Sequence, residues 1–344
     1  MKIDVLRLCV LFVCVSSIGC NYPRDNVNDP DYDGGEHSFS PWYGTGSKGI
    51  IQTLAGNGES STFSGDGGPA REAALYHPNK VHVYRGEIFI GDVFHSARLR
   101  KVSSEGIIST VSAGDHVEDF FITKSGTIFI ATGRSIERVS PDGEVSVVHE
   151  AVFPRSIFLD GEGNIFFSRD DASTSNEAGW IEKLGIDGSR TVIAGAGGDE
   201  FNGDGIPANE SNLRRPRGLF VTDEGMIYVG QGGRISRIDP SGVIHTLVED
   251  ALVNDILVDG NGDVFFSGPY WVKKVDKDGK VTLVAGGIVR GSGSRADGIP
   301  ATDAQLGNPE GISIDEVGNL FIADLVHNQI RVVWGIAAPR NVPD

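Results

Sequence analysis

Short apolar runs recur along the chain, each about five residues long and each preceded by a turn that contains glycine. The six runs are EIFIGD at 87–92, TIFIAT at 127–132, NIFFSR at 164–169, MIYVGQ at 226–231, DVFFSG at 263–268 and NLFIAD at 319–324. Runs of this length, rich in aromatic and β-branched residues and bounded by turns, are typical of strands rather than helices. The pattern therefore predicts a chain of repeated β-strands.

Each run is followed by a basic strand that ends in an aliphatic residue. These strands read RLRKV, SIERV, WIEKL, RISRI, WVKKV and QIRVV. After most of them comes another glycine turn and a fourth strand, as in GIISTVSAG at 106–114. Four strands per unit and a spacing of roughly 40 residues are the signature of propeller blades. The predicted fold is an all-β, six-bladed β-propeller of four-stranded antiparallel blades.

The sixth unit lacks its fourth strand, because the pattern ends after Trp334. The missing strand is found at the other end of the repeats, where GIIQTLAG at 49–56 resembles GIISTVSAG. A ring of blades exposes sheet edges unless its ends are joined. Residues 50–54 are therefore predicted to form the outer strand of the last blade. This closure gives a propeller over 49–335 and a C-terminal tail over 336–344.

A family resemblance rests on three stretches of the repeats. They read AGNGESSTFSGDGGPAREAALYHPNKV at 55–81, GEIFIGDVFHSARLRKV at 86–102 and NPEGISIDEVGNLFIADLVHNQIRVV at 308–333. They resemble bacterial NHL-repeat propellers of the secreted or lipoprotein type. The resemblance implies a propeller that mostly serves as a binding platform. Because a few relatives with similar propellers are lyases or lactonases, the fold by itself does not fix the function.

The N-terminus carries an export pattern. Lys2 and Arg7 precede an apolar run from Leu8 to Val15. This run is too short to span a bilayer, which takes roughly 20 residues, but it suits the core of a signal peptide. Residues 1–19 are therefore predicted to be a signal peptide, and residues 20–48, rich in Asp, Asn, Pro and Gly, a flexible acidic tether.

The end of this segment, SIGC at 17–20, resembles the bacterial lipobox. The resemblance implies lipidation of Cys20 and an exported protein anchored to a membrane, facing the periplasm or the cell surface. A plain signal peptide that leaves a free thiol is the alternative. The formal net charge of −17 argues against nucleic acid as a partner, because phosphate binding needs clustered Lys and Arg. The expected partner is a protein, peptide or glycan of the cell envelope, with the lipid as the sole membrane contact.

The long connections of the repeats all fall on one side of the predicted propeller, which we call the loop face. Three inserts there share a core, SGDGGPA at 64–70, NGDGIPA at 202–208 and ADGIPA at 296–301. Their aspartates, Asp66, Asp204 and Asp297, are expected to order their own turns, with calcium binding as the alternative. Because variable loops on a rigid scaffold commonly carry binding residues, this face is the predicted binding surface.

Strand register predicts a ring of polar residues where the innermost strands begin. The six residues are Asn79, Glu118, Arg155, Arg217, Asn254 and Glu310. We expect them around the mouth of the central channel, with apolar residues at the next positions inward. One interpretation is a ligand site in which Arg155 and Arg217 clamp an anion. The other is a ring of mutual ion pairs, such as Glu118 with Arg155, that closes a narrow pore.

Two further pairs are matched by repeat position, Asp92 with His95 and Asp324 with His327. In the family such residues mostly brace a loop, and a metal site is the alternative. A non-catalytic binding platform without a cofactor is the favoured function. The alternatives are an architectural part of an envelope assembly, or a lyase- or lactonase-like enzyme with a divalent cation at the mouth. Glu310, Asn254 and Asn79 resemble part of the lactonase set, but Arg155 and Arg217 would compete with the cation.

Overall fold

A computed structural model describes residues 43–59, 63–93, 98–113, 116–150, 153–170, 177–198, 200–287, 293 and 295–339. The predicted signal peptide, Cys20, most of the predicted tether and His95 lie outside these residues. Within them the chain forms β-strands and two short 3-10 helices, Ala208–Glu210 and Ala301–Asp303. No helix of the described part is long and apolar enough to cross a membrane.

The strands form six antiparallel sheets, each a blade of at least four strands. The chain enters at β1 (Ile50–Ala55). Blade 1 contains β2 (Pro78–Tyr84), β3 (Glu87–Asp92), β4 (Arg98–Val102) and β5 (Ile108–Ala113). Blade 2 contains β6 (Val117–Ile122), β7 (Ile128–Thr132), β8 (Ser135–Val139) and β9 (Val145–Glu150). Blade 3 contains β10 (Pro154–Leu159), β11 (Ile165–Asp170), β12 (Ala178–Leu184) and β13 (Arg190–Ala194), with the short β14 (Leu213–Arg214) added to β12.

The second half of the chain repeats this order. Blade 4 contains β15 (Gly218–Val221), β16 (Ile227–Gln231), β17 (Gly233–Ile238) and β18 (Ile244–Ala251). Blade 5 contains β19 (Asp255–Val258), β20 (Val264–Gly268), β21 (Trp271–Val275) and β22 (Val281–Gly286). Blade 6 contains β24 (Pro309–Ile314), β25 (Leu320–Asp324), β26 (Gln329–Val333) and β1, with the short β23 (Ile299–Pro300) added to β1. The six-bladed propeller predicted from the sequence is confirmed.

The ring is closed as the sequence predicted. β1 pairs antiparallel with β26, with Ile51 opposite Val333 and Thr53 opposite Arg331. The innermost strand of blade 1 packs against those of blades 2 and 6, so each blade has two neighbours. The core lies between the blades, where residues such as Phe265 and Phe321 are fully buried. Burial of each such side chain contributes roughly 1.5–3 kcal/mol to folding. Because closing the ring buries the side chains between the last blade and the first, the closure stabilises the whole molecule.

The three inserts of the loop face form outer clips, the name used below for 64–70, 202–208 and 296–301. Each clip lies along the outer strand of the blade that follows it in the chain. Pro69 bridges to Ile107, Pro207 bridges to Val243, and Ile299 pairs with Ile51. Blades 1, 4 and 6 therefore have a covered outer edge, which a sheet needs if it is not to recruit other strands.

The clip aspartates do not order their own turns, and that expectation is wrong. Asp204 accepts hydrogen bonds from the backbone N–H and the hydroxyl of Thr246, at 2.7 and 2.9 Å. Asp297 accepts the same pair from Thr53, at 2.8 and 2.9 Å. Asp66 bonds instead to the buried Arg100, with its oxygen 2.7 Å from Nη2. Each carboxylate thus ties the clip to a strand that is distant in sequence.

Candidate binding site at the channel mouth

In four blades the segment that leads into the innermost strand contains the same backbone feature, a non-glycine residue with positive φ followed by proline. His77, Phe153, Arg215 and Asn308 have positive φ angles of 59, 52, 42 and 59°, and a proline follows each of them. A non-glycine residue in this region is strained by about 1–3 kcal/mol and persists only where its surroundings fix it. Such strain clusters at functional sites, and these four residues stand just before the innermost strands of blades 1, 3, 4 and 6.

Two asparagines of the predicted ring connect neighbouring blades. The Asn79 amide donates to the carbonyls of Val117 and Glu118 on blade 2, at 2.9 and 3.0 Å. The Asn254 amide donates to the carbonyl of Pro309 on blade 6, at 3.0 Å. Both side chains therefore satisfy backbone acceptors at the junctions between blades, which fixes their orientation.

Arg155 is held by two carboxylates. Its Nη1 lies 2.9 Å from Glu118 Oε1, and its Nε lies 3.1 Å from Asp170 Oδ2. Burial would lower the pKa of Arg155, but Glu118 and Asp170 outweigh burial and raise it. The predicted ion pair between Glu118 and Arg155 is present. It occupies the Arg155 guanidinium, which an anion clamp would need free.

Arg217 differs from Arg155. Its side chain is exposed, and its guanidinium makes no hydrogen bond to any described residue. Glu310 is its electrostatic neighbour across the mouth, where burial raises the pKa of Glu310 while Arg217 acts against the rise. The Glu310 carboxylate accepts a hydrogen bond from Asn308 at 2.9 Å. Of the two predicted clamp residues, Arg217 is the one available to a ligand.

The guanidiniums of Arg214, in β14 of blade 3, and of Arg215, in the segment that leads into blade 4, extend this basic region. Both pair with Glu177: Arg214 Nη2 lies 2.5 Å from Glu177 Oε2, and Arg215 Nη2 lies 2.8 Å from Glu177 Oε1. Arg214 and Arg215 thus share a single acid, and Arg217 beside them has Glu310 as its acidic neighbour. In a chain with a net charge of −17, three arginines beside two acids make a local excess of positive charge that favours an anionic ligand.

The layer below the mouth is polar, so the expectation of apolar residues there is wrong. The Lys80 ammonium of blade 1 lies 2.9 Å from Asp255 on blade 5 and 3.5 Å from Asp119 on blade 2. Burial would lower the Lys80 pKa, but the two carboxylates raise it above its ordinary value. Asp119 also accepts hydrogen bonds from Ser156 Oγ and Ile157 N on blade 3. A buried ion triad therefore crosses the channel beneath the ring.

Space for the Lys80 stem comes from a glycine. A Cβ on Gly311 of blade 6 would lie 2.6 Å from Lys80 Cα and 3.1 Å from Lys80 Cδ. The signal for this triad was visible as charged residues directly after Asn79, Glu118 and Asn254. Sequence could not show which distant blades meet at the axis.

The residues predicted to brace loops occupy the ends of second strands. Asp324 accepts a hydrogen bond from Gly307 N at 2.8 Å, and its other oxygen lies 2.8 Å from His327 Nδ1. Asp92 accepts one from Tyr76 N at 2.7 Å, and burial raises its pKa to about 6. The pair of Asp324 and His327 has the geometry of a brace, whereas His95, the matched partner of Asp92, lies outside the described residues.

Residues 196–254 match the model of the Teneurin NHL domain. Human Teneurin-4 is 25% identical over 181 residues, which cover 46% of this chain and 6% of Teneurin-4. The chain is an NHL-repeat β-propeller. The resemblance of the repeats to NHL propellers is confirmed, and the chain spans only a small part of the length of this relative.

Two solved structures share the fold of this NHL propeller. An auxiliary nutrient binding protein from Bacteroides thetaiotaomicron superposes with a TM-score of 0.63 at 14% identity, covering 82% of this chain and 75% of that chain. A gluconolactonase from Xanthomonas campestris superposes with a TM-score of 0.59 at 15% identity, covering 83% and 89%. At these identities the similarity concerns the fold, which carries binding and enzymatic functions alike.

The mouth of this NHL propeller does not suit a divalent cation. Glu310 and Asn254 stand near each other, but Arg217 and Lys80 both act electrostatically on Glu310. A cation placed beside Glu310 would face these two fixed positive charges. Within the described residues no group of three or more His, Cys, Asp or Glu is arranged to hold a metal ion.

Proposed function

We propose that the protein is an exported, lipid-anchored NHL propeller that binds a protein, peptide or glycan of the cell envelope without catalysis. The ligand contacts the loop face and places an anionic group on Arg217. The observation that carries this proposal is the exposed Arg217 guanidinium, which has no hydrogen-bond partner among the described residues. A guanidinium suits a carboxylate because it offers two parallel donors.

The rest of the mouth supports binding on a rigid frame. Asn79 and Asn254 bond to the backbone of the next blade, Arg155 is paired, and Lys80 closes the channel below. These groups stabilise one arrangement of the blades, so a ligand meets a preformed surface and loses little free energy to ordering. The auxiliary nutrient binding protein that shares this fold is named as a binder, which agrees with this class of function.

Single substitutions separate the roles of the two arginines. The probes are an array of acidic and neutral oligosaccharides and an array of peptides with free or amidated C-termini. We expect the protein to select anionic probes and Arg217→Ala to weaken that binding about tenfold or more, as for loss of a charged hydrogen bond of about 1.5–3 kcal/mol. The melting temperature of Arg217→Ala should stay close to that of the wild type.

The control variants are Arg155→Ala and Arg138→Ala. Arg155→Ala breaks the pairs with Glu118 and Asp170 and should lower the melting temperature. Arg138 is exposed on β8, so its loss should change neither binding nor stability. Binding of anionic probes that survives Arg217→Ala unchanged would rule out the mouth as the site.

Membrane anchoring is tested separately from binding. Cys20→Ala removes the proposed site of lipidation. We expect the variant to move from the membrane fraction to the soluble fraction and to lose labelling by a radioactive fatty acid. Membrane association that persists in Cys20→Ala would contradict the anchor and leave the binding proposal intact.

The enzymatic alternative has one observation in its favour, the half-buried Glu310 with its raised pKa beside Asn254 and Asn308. A raised pKa suits a general acid or base. Elemental analysis of the protein purified without chelator tests this alternative directly. One equivalent of a divalent metal that is lost in Glu310→Gln would replace the binding proposal by the metal-dependent one.

A further inference from the structure

The outer strand of blade 2, β9, is exposed along nearly its whole length. Val145 and Val147 are 55% and 60% exposed, and Val148 is 38% exposed. β9 ends the strand order of its sheet, and no described segment pairs with its free side. An apolar strand with unpaired backbone groups is a template for another strand.

The clipped blades show how such an edge is filled. In blade 4, Ile244 donates its backbone N–H to Ile206 O at 3.1 Å and accepts from Gly205 N at 2.8 Å. Ile244 pairs with the last residue of the third strand, as Val145 does in blade 2. Ile244 is fully buried under its clip, whereas Val145 is uncovered. Val145 therefore offers the backbone groups that a clip uses elsewhere.

Blades 2, 3 and 5 have no clip in the described part of the chain and are called the bare blades, and blades 3 and 5 differ from blade 2 at this position. In blade 3 it holds Arg190, whose side chain reaches back to the buried Glu182. A charged residue on an edge discourages pairing with another strand. In blade 5 it holds Val281, which is 43% exposed, and the 3-10 helix Ala301–Asp303 packs against the same strand. Among the outer strands of the described residues, β9 alone exposes three valines, and no 3-10 helix packs against it as one does against β13 and β22.

Charge indicates what would pair with β9. Val147 lies opposite Glu137, and in blades 1 and 6 the place of Glu137 is taken by the buried Arg100 and Arg331. Those arginines receive the clip aspartates, whereas Glu137 would repel one. Exposed acids at both ends of β9 add to this repulsion, namely Asp142, Glu144 and Glu150. A second copy of this acidic edge is disfavoured, and a basic strand is favoured.

We propose that β9 is a docking strand for an extended basic segment of another protein. The segment adds to blade 2 as a fifth antiparallel strand and takes up the backbone groups of Val145 and Val147. Its apolar side chains cover the two valines, and its Lys or Arg side chains, on the opposite face of the added strand, meet acids at the strand ends such as Glu144. Backbone hydrogen bonds supply affinity in this mode of recognition, and the alternate side chains supply specificity. The surface is separate from the channel mouth.

The probe is a short synthetic peptide in which valine and lysine alternate, labelled for fluorescence anisotropy and mixed with the full-length protein. A second peptide carries glutamate in place of lysine. We expect the lysine peptide to bind about tenfold more tightly or better, equivalent to about 1.4 kcal/mol. On binding, hydrogen exchange of the Val145 and Val147 amides should slow.

Val145→Pro removes the outward backbone N–H of this residue and should weaken binding of the lysine peptide about tenfold. The matched control, Val281→Pro, makes the same change on blade 5 and should leave binding unchanged. The proposal is overturned if the peptides bind equally, if neither binds, or if protection or loss of binding maps to blade 5. It is also overturned if the protein dimerises with its β9 amides already protected, because a second copy then fills the edge.

Discussion

The clipped blades 1, 4 and 6 and the bare blades 2, 3 and 5 differ in what lies along their outer strands. In the clipped blades the outer strand carries a threonine two residues after the buried isoleucine, at positions 110, 246 and 53. In the bare blades the matching residues are Val147, Val192 and Leu283. The threonine thus occurs in those blades whose preceding connection supplies an aspartate.

The buried partner on the third strand differs as well. It is Arg100 in blade 1 and Arg331 in blade 6, both fully buried and both paired with a clip aspartate. In the bare blade 3 it is Glu182, and the arginines come from neighbouring strands of the same blade. The sign of the buried charge is reversed between them: blades 1 and 6 take the counter-charge from a clip, whereas blade 3 supplies it from its own strands.

The largest expected effect is at the clip that closes the ring. Asp297→Ala removes a partner of the buried Arg331 and frees the backbone N–H of Thr53. Breaking a buried ion pair from one side costs about 3–5 kcal/mol, and we expect a loss near the lower end because Asp297 is partly exposed. Urea denaturation monitored by fluorescence measures the change in unfolding free energy.

The control for this prediction is Asp204→Ala in blade 4. Its clip has no buried arginine in the matching position, where Ser236 stands instead. Only the hydrogen bonds to Thr246 are lost, so we expect about 1–2 kcal/mol. Equal costs for the two variants would show that the buried arginine does not distinguish the clips.

The second effect concerns the internally paired blade 3. The side chain of Glu182 is fully buried between Arg169 and Arg190, and Glu182→Gln should cost about 2 kcal/mol at pH 7. Burial would raise the pKa of Glu182, but its bonds to Arg190 and Arg169 outweigh burial and lower it. A carboxyl whose folded pKa is depressed stabilises the fold above its unfolded pKa and loses that contribution as the pH falls through the folded value.

We therefore expect the advantage of the wild type over Glu182→Gln to be full at pH 7 and to shrink below about pH 4.3, the ordinary value for glutamate. Urea midpoints of both proteins between pH 7 and pH 3 measure this trend. Glu137→Gln is the control, because Glu137 accepts a hydrogen bond from Ser135 but has no arginine partner among the described residues. A difference that is constant with pH would contradict the ion-pair explanation.

Sequence reasoning identified the repeats because each blade repeats its strand and turn chemistry locally. The closure by β1 followed from one strand missing at the end and one similar strand in excess at the start. The Asp–Thr contacts were missed because the two residues of each bond are separated by 42 residues in blade 4 and 244 in blade 6. Lys80 was missed for a related reason, because the register of one blade does not say which other blades it faces across the axis.

The smallest effect is a reciprocal exchange at the threonine position. Thr246→Val removes the hydroxyl that bonds to Asp204 at 2.9 Å but keeps the backbone bond at 2.7 Å, so we expect a loss of about 0.5–1.5 kcal/mol. Val147→Thr gives the bare β9 a hydroxyl without a clip aspartate, and Val147 is already exposed, so we expect a change within about 0.5 kcal/mol. Thr246→Ser retains the hydroxyl and serves as the control. If Thr246→Val were neutral, the clip would be held by backbone pairing, and threonine would mark the clipped blades without stabilising them.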